Sequence, residues 1–433
     1  MRFKMIHLLV LIVGSVTVLS GCQSSKPQET VILQVSYPSA QKFYRDYGYG
    51  FEKKYPNIQI QVIPYDWEAA NPSQDADIQY MQQLSQYRQE IEQGHLLSLA
   101  SRFQQDKDQD LTKVSPIMTT LLKSAADNGE LYGVSPTFSG EALFYNKDLF
   151  SQFGITPPHS EMGWKDIFAL ASRFPKQNKD GKALYGFQKN YSQQAELQYL
   201  LEAGRIEGLS YIQPQTLKVT INTDEWKRIL NYTLEAFRSK ALYGEDDAGY
   251  PLFLTGQAAM TLGTLTSAYS YEEFAKMEGT EPINWGLVTP PINPEQPDRS
   301  RYYSVNEVFG ISSASPHPEE AWKLLKYMIT DSENTRLMAN YKHREIPLIT
   351  EYIQPIAGKD DLASLYTLQA IPNDPSPYVS INQEILNAFQ EAAGPILDQV
   401  IRGEKSIDNA LTEIEIKGQQ AVDEAKAALQ TKD

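Results

Sequence analysis

Val31 to Val35 is a short apolar run that ends at the turn signal Tyr37-Pro38-Ser39, which predicts a first strand. Phe43, Tyr47 and Phe51 then recur at i, i+4 and i+8, the stripe of a buried helix face. Asn57 to Ile63 alternates, with Ile58, Ile60 and Val62 on one side and Gln59 and Gln61 on the other, and reads as a half-buried strand. Asp77-Ile78 opens a third strand, and Leu84, Tyr87 and Ile91 mark a helix that stops at Gly94. Asn128-Gly129 predicts a tight turn ahead of residues 130–134. Residues 142–150 read as a strand running into a helix. Thr223 caps a helix over 223–240, with Trp226, Ile229, Leu230, Leu234 and Phe237 on one face. Residues 258–263 and 285–289 read as buried strands, and 315–328 as a helix. The chain from about 383 is helical, with breaks expected at Gly394-Pro395 and at Gly403. Strands alternating with helices predict an α/β layer architecture.

The first residues do not fit that pattern. Arg2 and Lys4 precede an apolar run from Leu8 to Leu19, too short to span a bilayer as a helix, where roughly 20 residues are needed. It fits the core of a signal peptide over 1–21. The run ends in Leu19-Ser20-Gly21-Cys22, a lipobox, in which the Cys22 thiol takes up a diacylglyceryl group. Cys22 is the only cysteine, so no disulfide forms within the chain. Residues 22–30 are expected to form a polar, lipidated tether. The expected location is the extracytoplasmic face of the cell membrane.

About 400 residues follow, more than one ordinary core holds, so two domains are expected. The formal charge of −15 becomes more negative once Arg2 and Lys4 leave with the signal. Such a surface repels nucleic acid, whose binding needs Lys and Arg against phosphate. No G-x-S-x-G, H-E-x-x-H or complete phosphate loop occurs, and Arg402-Gly403-Glu404-Lys405-Ser406 reads as a break between helices. His95, His159, His317 and His343 lack metal-ligand spacing. The expectation is therefore no catalytic residue, no metal and no cofactor.

Several segments, in order, resemble the extracellular solute-binding protein family 1, which includes the maltodextrin-binding proteins. They are Phe51-Glu52-Lys53-Lys54-Tyr55-Pro56-Asn57-Ile58, Leu131-Tyr132-Gly133-Val134, Phe144-Tyr145-Asn146-Lys147-Asp148-Leu149-Phe150 and Gly154-Ile155-Thr156-Pro157-Pro158 with Trp164. Phe253-Leu254-Thr255-Gly256-Gln257-Ala258-Ala259-Met260, then Gly310-Ile311-Ser312 with Glu319-Glu320-Ala321-Trp322, complete the series. The resemblance implies a class II type, two-lobed periplasmic-binding-protein-like fold whose lobes are joined by a multi-strand hinge. It places residues 31–139 with 287–340 in a first lobe and 145–284 with 341–433 in a second, with crossings near Gly140–Ala142, Trp285–Gly286 and Tyr341. It also implies a monomer that delivers a small solute to the permease subunits of an ABC importer.

Ligands of open α/β sheets sit beyond the carboxyl ends of the strands. Tyrosine is abundant, at 26 residues, and suits a sugar because the ring packs on C–H faces while the hydroxyl takes part in polar contacts. By position the ligand-binding candidates are Tyr37, Tyr80, Met81, Gln82, Ser139, Glu141, Asn190, Tyr191, Thr264, Thr266, Asn306 and Glu307. Maltodextrin-binding members stack sugar on tryptophans; at the matching positions this chain has Met81, Thr266 and Gln390, and Leu84 replaces an acidic ligand. Of the five tryptophans, Trp67 and Trp285 are the cleft candidates. The leading expectation is a binding protein for an oligosaccharide or glycoside. The alternative is a surface lipoprotein of the same fold that takes a non-sugar solute or serves as a sensor or accessory subunit.

Overall fold

The computed structural model describes residues 29–65, 76–106, 109–189, 194–243, 252–340, 345–371, 378 and 381–431. Cys22, Trp67, Asn190, Tyr191 and Tyr341 lie outside them.

A first sheet is built from β1 (Val31–Tyr37), β2 (Ile58–Pro64), β3 (Ile78–Met81) and β4 (Gly133–Val134), with a late strand, Val308–Ile311, inserted between β3 and β4. β1 runs parallel to β2 and β3, and the inserted strand is antiparallel to β3 and β4. The alternation of Ile58 and Ile60 with Gln59 and Gln61 holds, the isoleucines being buried and the glutamines exposed. Phe43, Tyr47 and Phe51 are all buried on one rod, in which Ala40–Phe43 and Tyr49–Lys54 are α-helical and Tyr44–Gly48 is a π turn. A spacing of four drifts around an α-helix of 3.6 residues per turn, and the wider i→i+5 turn brings the stripe back into line.

After β4 come β5 (Thr137–Gly140) and β6 (Ala142–Asn146), then β7 (Phe187–Gln188), β8 (Leu242–Tyr243), β9 (Met260–Gly263) and β10 (Trp285–Val288). The second sheet has the order β10-β6-β9-β7-β8. Its core is lined by Trp164, Phe168, Phe187, Tyr199 and Trp226, among others. Asn146 ends β6 and caps the helix Lys147–Phe153, its side chain accepting from the amides of Asp148 and Leu149. Thr223 caps Asp224–Ser239, accepting from the Trp226 amide.

The remaining strands are β11 (Arg299–Ser300), β12 (Tyr303–Ser304), β13 (Val308–Ile311, the inserted strand above), β14 (Ile346–Pro347) and β15 (Gln369–Ala370). β12, β5 and β14 make a small antiparallel sheet of three strands, with β5 in the middle. Each of these strands lies where the chain passes between the two large sheets. Leu287 and Val288, which the sequence reading grouped with the first lobe, pair with Phe144 and Leu143 in the second sheet. The chain next pairs at Arg299 and Ser300 with Gln369 and Ala370, and then crosses at Tyr303 and Ser304, opposite Gly140 and Ser139.

The expected break at Gly394-Pro395 does not occur: Gln383–Ile401 is one helix with Pro395 inside it. Proline in a helix interior costs about 3 kcal/mol. Here the buried stripe Ile385, Leu386, Phe389, Ala393, Ile396, Leu397 and Val400 runs straight through, and its burial outweighs that cost. The carbonyl whose helical donor Pro395 lacks is that of Glu391, an exposed residue. The break at Gly403 is present, with φ +79°, and Ser406 caps the next helix, Ile407–Gln430.

Candidate functional site

The carboxyl ends of β1 and β3 and the start of β13 meet on the first sheet's side of the three-stranded crossing. Tyr37 ends β1; its hydroxyl donates to Glu307 Oε1 at 3.0 Å and accepts from Lys42 Nζ at 2.7 Å. Lys42 also pairs with Glu307 directly at 2.8 Å. Burial, with the Glu307 carboxylate adding to it, holds the Tyr37 phenol far above its ordinary range, so it stays a donor. Tyr80 packs edge-on to Tyr37, with ring centroids 5.0 Å apart, and against Tyr65 and Phe309. Beside them Asn306 donates to Glu345, whose other oxygen accepts from Thr137 Oγ1 at 3.2 Å. Burial raises the Glu345 carboxyl, the hydrogen bonds from Asn306 and Thr137 oppose that, and Glu307 adds to it.

On the second sheet's side the centre is Tyr302. Its hydroxyl donates to Glu202 Oε1 at 2.7 Å and accepts from the Trp164 indole at 3.1 Å. Lys189, directly after β7, places Nζ 2.7 and 2.9 Å from the two Glu202 oxygens and 5.7 Å from the Tyr302 ring centre. The Arg205 guanidinium lies 5.5 Å from the same ring. The Glu141 amide donates to the Tyr302 carbonyl at 3.2 Å. Burial raises the Glu141 carboxyl; Lys189 opposes the shift, Glu202 adds to it and Arg205 opposes it.

A carboxyl whose folded pKa lies above its unfolded value costs stability when ionised. That cost is present above the raised folded pKa and gone below the ordinary value of 4.5. Glu141→Gln is therefore expected to raise the melting temperature at pH 8, with the gain fading as the pH falls toward 4.5. A variant less stable than the parent at pH 8 would show that the ionised carboxylate is a net stabiliser.

The structure gathers Tyr37, Tyr80, Asn306 and Glu307 on one side of the crossing and puts Glu141 on the other. Met81 is fully buried opposite Val308, and Tyr80 is 4% exposed, its ring enclosed by Tyr37, Tyr65 and Phe309. Gln82 is exposed, its amide bonded to Gln86 Oε1. Ser139 lies in β5 opposite Ser304. Thr264 is engaged in a capping box with Ser267, and Thr266 sits in the first turn of the helix that begins there, Leu265–Glu278. Trp285 is a core residue, its indole donating to Glu272 at 3.0 Å. Gln390 accepts from Gln198 at 2.9 Å. Lys42, Thr137, Glu345, Lys189, Glu202, Arg205 and Tyr302 were not singled out in the sequence. Only Lys189 carried a signal, as the residue between β7 and the chosen Asn190.

No helix among the described residues is long and apolar enough to cross a membrane, and none of their His, Cys, Asp and Glu residues form a group of three or more that would hold a metal.

The family model described as bacterial extracellular solute-binding protein matches residues 34–335. An uncharacterized ABC transporter extracellular-binding protein of Pyrococcus horikoshii is 24% identical over 308 residues, 66% of this chain; the chain spans 64% of that relative's length. A sugar transporter structure from Rhizobium etli, in an open conformation, is similar with a TM-score of 0.65 and 16% identity, over 90% of this chain and 99% of that one. The sugar-binding protein MalE of Xanthomonas citri gives 0.63 and 16%, over 92% and 99%. An ABC substrate-binding protein of Listeria monocytogenes in complex with cycloalternan gives 0.59 and 20%, over 90% and 98%.

Proposed function

Because the chain belongs to the bacterial extracellular solute-binding proteins, a family of binding proteins and not of enzymes, we propose that it captures a small polyhydroxylated solute between two lobes and hands it to the permease of an ABC importer. The observation that carries this reading is the three-stranded crossing sheet with a polar cluster on each side of it. Short strands between two bodies act as a hinge, and a solute bound by both sides closes it. In this reading β1–β4 with β13 belong to one lobe and β6–β10 to the other, with β5, β12 and β14 between them. Carboxylates and ammonium groups at both walls, with the Asn306 amide at the first, suit the hydroxyls of an oligosaccharide or glycoside. The similar protein that carries cycloalternan supports an oligosaccharide, and the one from Agrobacterium vitis with bound D-mannitol supports a polyhydroxylated ligand more broadly.

A solute at 100 times its dissociation constant stabilises by about 2.7 kcal/mol. For about 400 residues, with an unfolding entropy of about 2 cal/mol/K per residue, this is a rise of roughly 3 °C in melting temperature. The expected result is such a rise with at least one member of a panel of maltodextrins, cycloalternan, other oligosaccharides and hexitols. No rise with any of them, and a rise with an amino acid or a metal, would overturn the sugar reading. The runner-up, a non-sugar solute or an accessory role, is favoured by one observation. Trp164, Trp226 and Trp285 are buried, and Tyr37 and Tyr80 are enclosed, so none of these rings offers a free face.

We also propose that the Cys22 thiol carries a diacylglyceryl group and that the chain is cleaved behind Gly21, on the strength of the Leu19-Ser20-Gly21-Cys22 sequence. Two acyl chains hold a protein at a membrane where one holds it marginally. The membrane-fraction protein should begin at Cys22 with acyl mass on that residue, and Cys22→Ala should be released with its melting temperature unchanged. An unmodified Cys22 in membrane-bound protein would refute the anchor.

A further inference from the structure

The two ends of the crossing sheet are held differently. At the second-lobe end, Tyr302 immediately precedes β12, yet its side chain is sunk in the second lobe's core. Its hydroxyl is tied to Glu202 and Trp164, at 2.7 and 3.1 Å, and Lys189 and Arg205 lie against its ring. Its carbonyl takes the Glu141 amide, so the residue just past β5 is fastened to the same point. At the first-lobe end, the Glu345 carboxylate takes Thr137, the first residue of β5, and Asn306, two residues past β12; Glu345 itself precedes β14. One carboxylate thus joins all three crossings.

We infer that Tyr302 and Glu345 are positioning residues that pin opposite ends of the hinge sheet, so that lobe rotation in the first two crossings is absorbed within 138–140 and 303–305. This rests on the two-lobed, closing reading above. The span between the pins is closely packed. A Cβ on Gly140 would lie 2.1 Å from the Leu365 carbonyl and 2.9 Å from the Tyr303 ring, so the segment carrying Leu365 approaches β5 as only glycine permits. A hinge needs a few residues to take up the change in φ and ψ, and residues outside the pins are bonded into one lobe or the other. A phenylalanine would fill the Tyr302 site equally well as a core residue. The hydroxyl matters only if the strand end must be fixed in place.

The test uses the mature chain with Cys22→Ser and spin labels on cysteines placed at the exposed positions Gln89 and Lys165, one per lobe, without solute. Tyr302→Phe and Glu345→Ala are each expected to broaden the interlobe distance distribution by about a factor of two. Glu345→Gln, which still can accept from Asn306 and bond Thr137, is expected to keep the parent width. Equal widths for Tyr302→Phe and its parent, with the melting temperature lowered, would make Tyr302 a filler and overturn the pin. If Tyr302→Phe does not fold, amide exchange in the parent decides: a Glu141 amide exchanging much faster than the β6 amides overturns the pin at that end. Equal widths for Glu345→Ala and Glu345→Gln overturn the other. Adding maltotriose, cycloalternan or mannitol to the parent reports separately on closure, so failure of the binding reading and failure of the pins are distinct results.

Discussion

Gly140→Ala is expected to lower the unfolding free energy by about 3 kcal/mol, read as a shift of the urea midpoint. The new methyl group would sit 2.1 Å from a backbone oxygen, that of Leu365, and 2.9 Å from the Tyr303 ring. A side chain can rotate away; a carbonyl held in the chain moves only by displacing its neighbours. The pairs Tyr303 with Gly140 and Ser304 with Ser139 would be forced apart in the process. Overpacking of a filled interior costs typically 1–3 kcal/mol, and contact with backbone puts this case at the upper end. A cost below about 1 kcal/mol would mean that the segment carrying Leu365 shifts freely, and that the crossing sheet is not the tight element described.

Glu202→Ala is the second large effect. Glu202 is 9% exposed and holds Lys189 Nζ at 2.7 Å and the Tyr302 hydroxyl at 2.7 Å. Removing one partner of a buried pair costs about 3–5 kcal/mol, because the other charge loses its nearest counter-charge. Lys189 is 25% exposed and regains some hydration, which brings the expectation down to about 2–3 kcal/mol. The Tyr302 hydroxyl also loses its acceptor in a buried place. In a double-mutant cycle with Lys189→Met, the second change should recover part of the loss, with a coupling of about 1–2 kcal/mol. Additive losses would show that the two side chains do not act as a pair.

The parts of the fold legible in the sequence are those fixed by short-range rules. Ile58, Ile60 and Val62 declared β2 by alternation, and Thr223 and Asn146 occupy the caps that their types favour. The failures lie where long-range packing decides. An apolar run such as 285–288 suits the edge of either sheet, and only its pairing with β6 shows which sheet takes it. Pro395 signals a helix end by local rules, which a long buried stripe overrides. Of the candidates chosen at strand boundaries, Tyr37, Tyr80, Asn306 and Glu307 lie on one side of the crossing. It could not find Glu202 or Glu345. A carboxylate on a helix or in a loop reads as solvated until its partner is known, and these partners lie 100 and 208 residues away.

The late arrival of β13 has a consequence for how the chain is made. β13 fills the gap between β3 and β4, so the first sheet stays split until residues 308–311 have been synthesised. The second lobe waits longer still, because Phe389, which stacks on Tyr211, and Val422 belong to its core. Closing loops of such length is slow, since each must lose its chain entropy before any contact repays it. A nascent chain whose first lobe lacks a middle strand until residue 311, and whose second lobe lacks part of its core until the last helices emerge, remains threadable for most of its synthesis, which is the condition that passage through a narrow export channel requires.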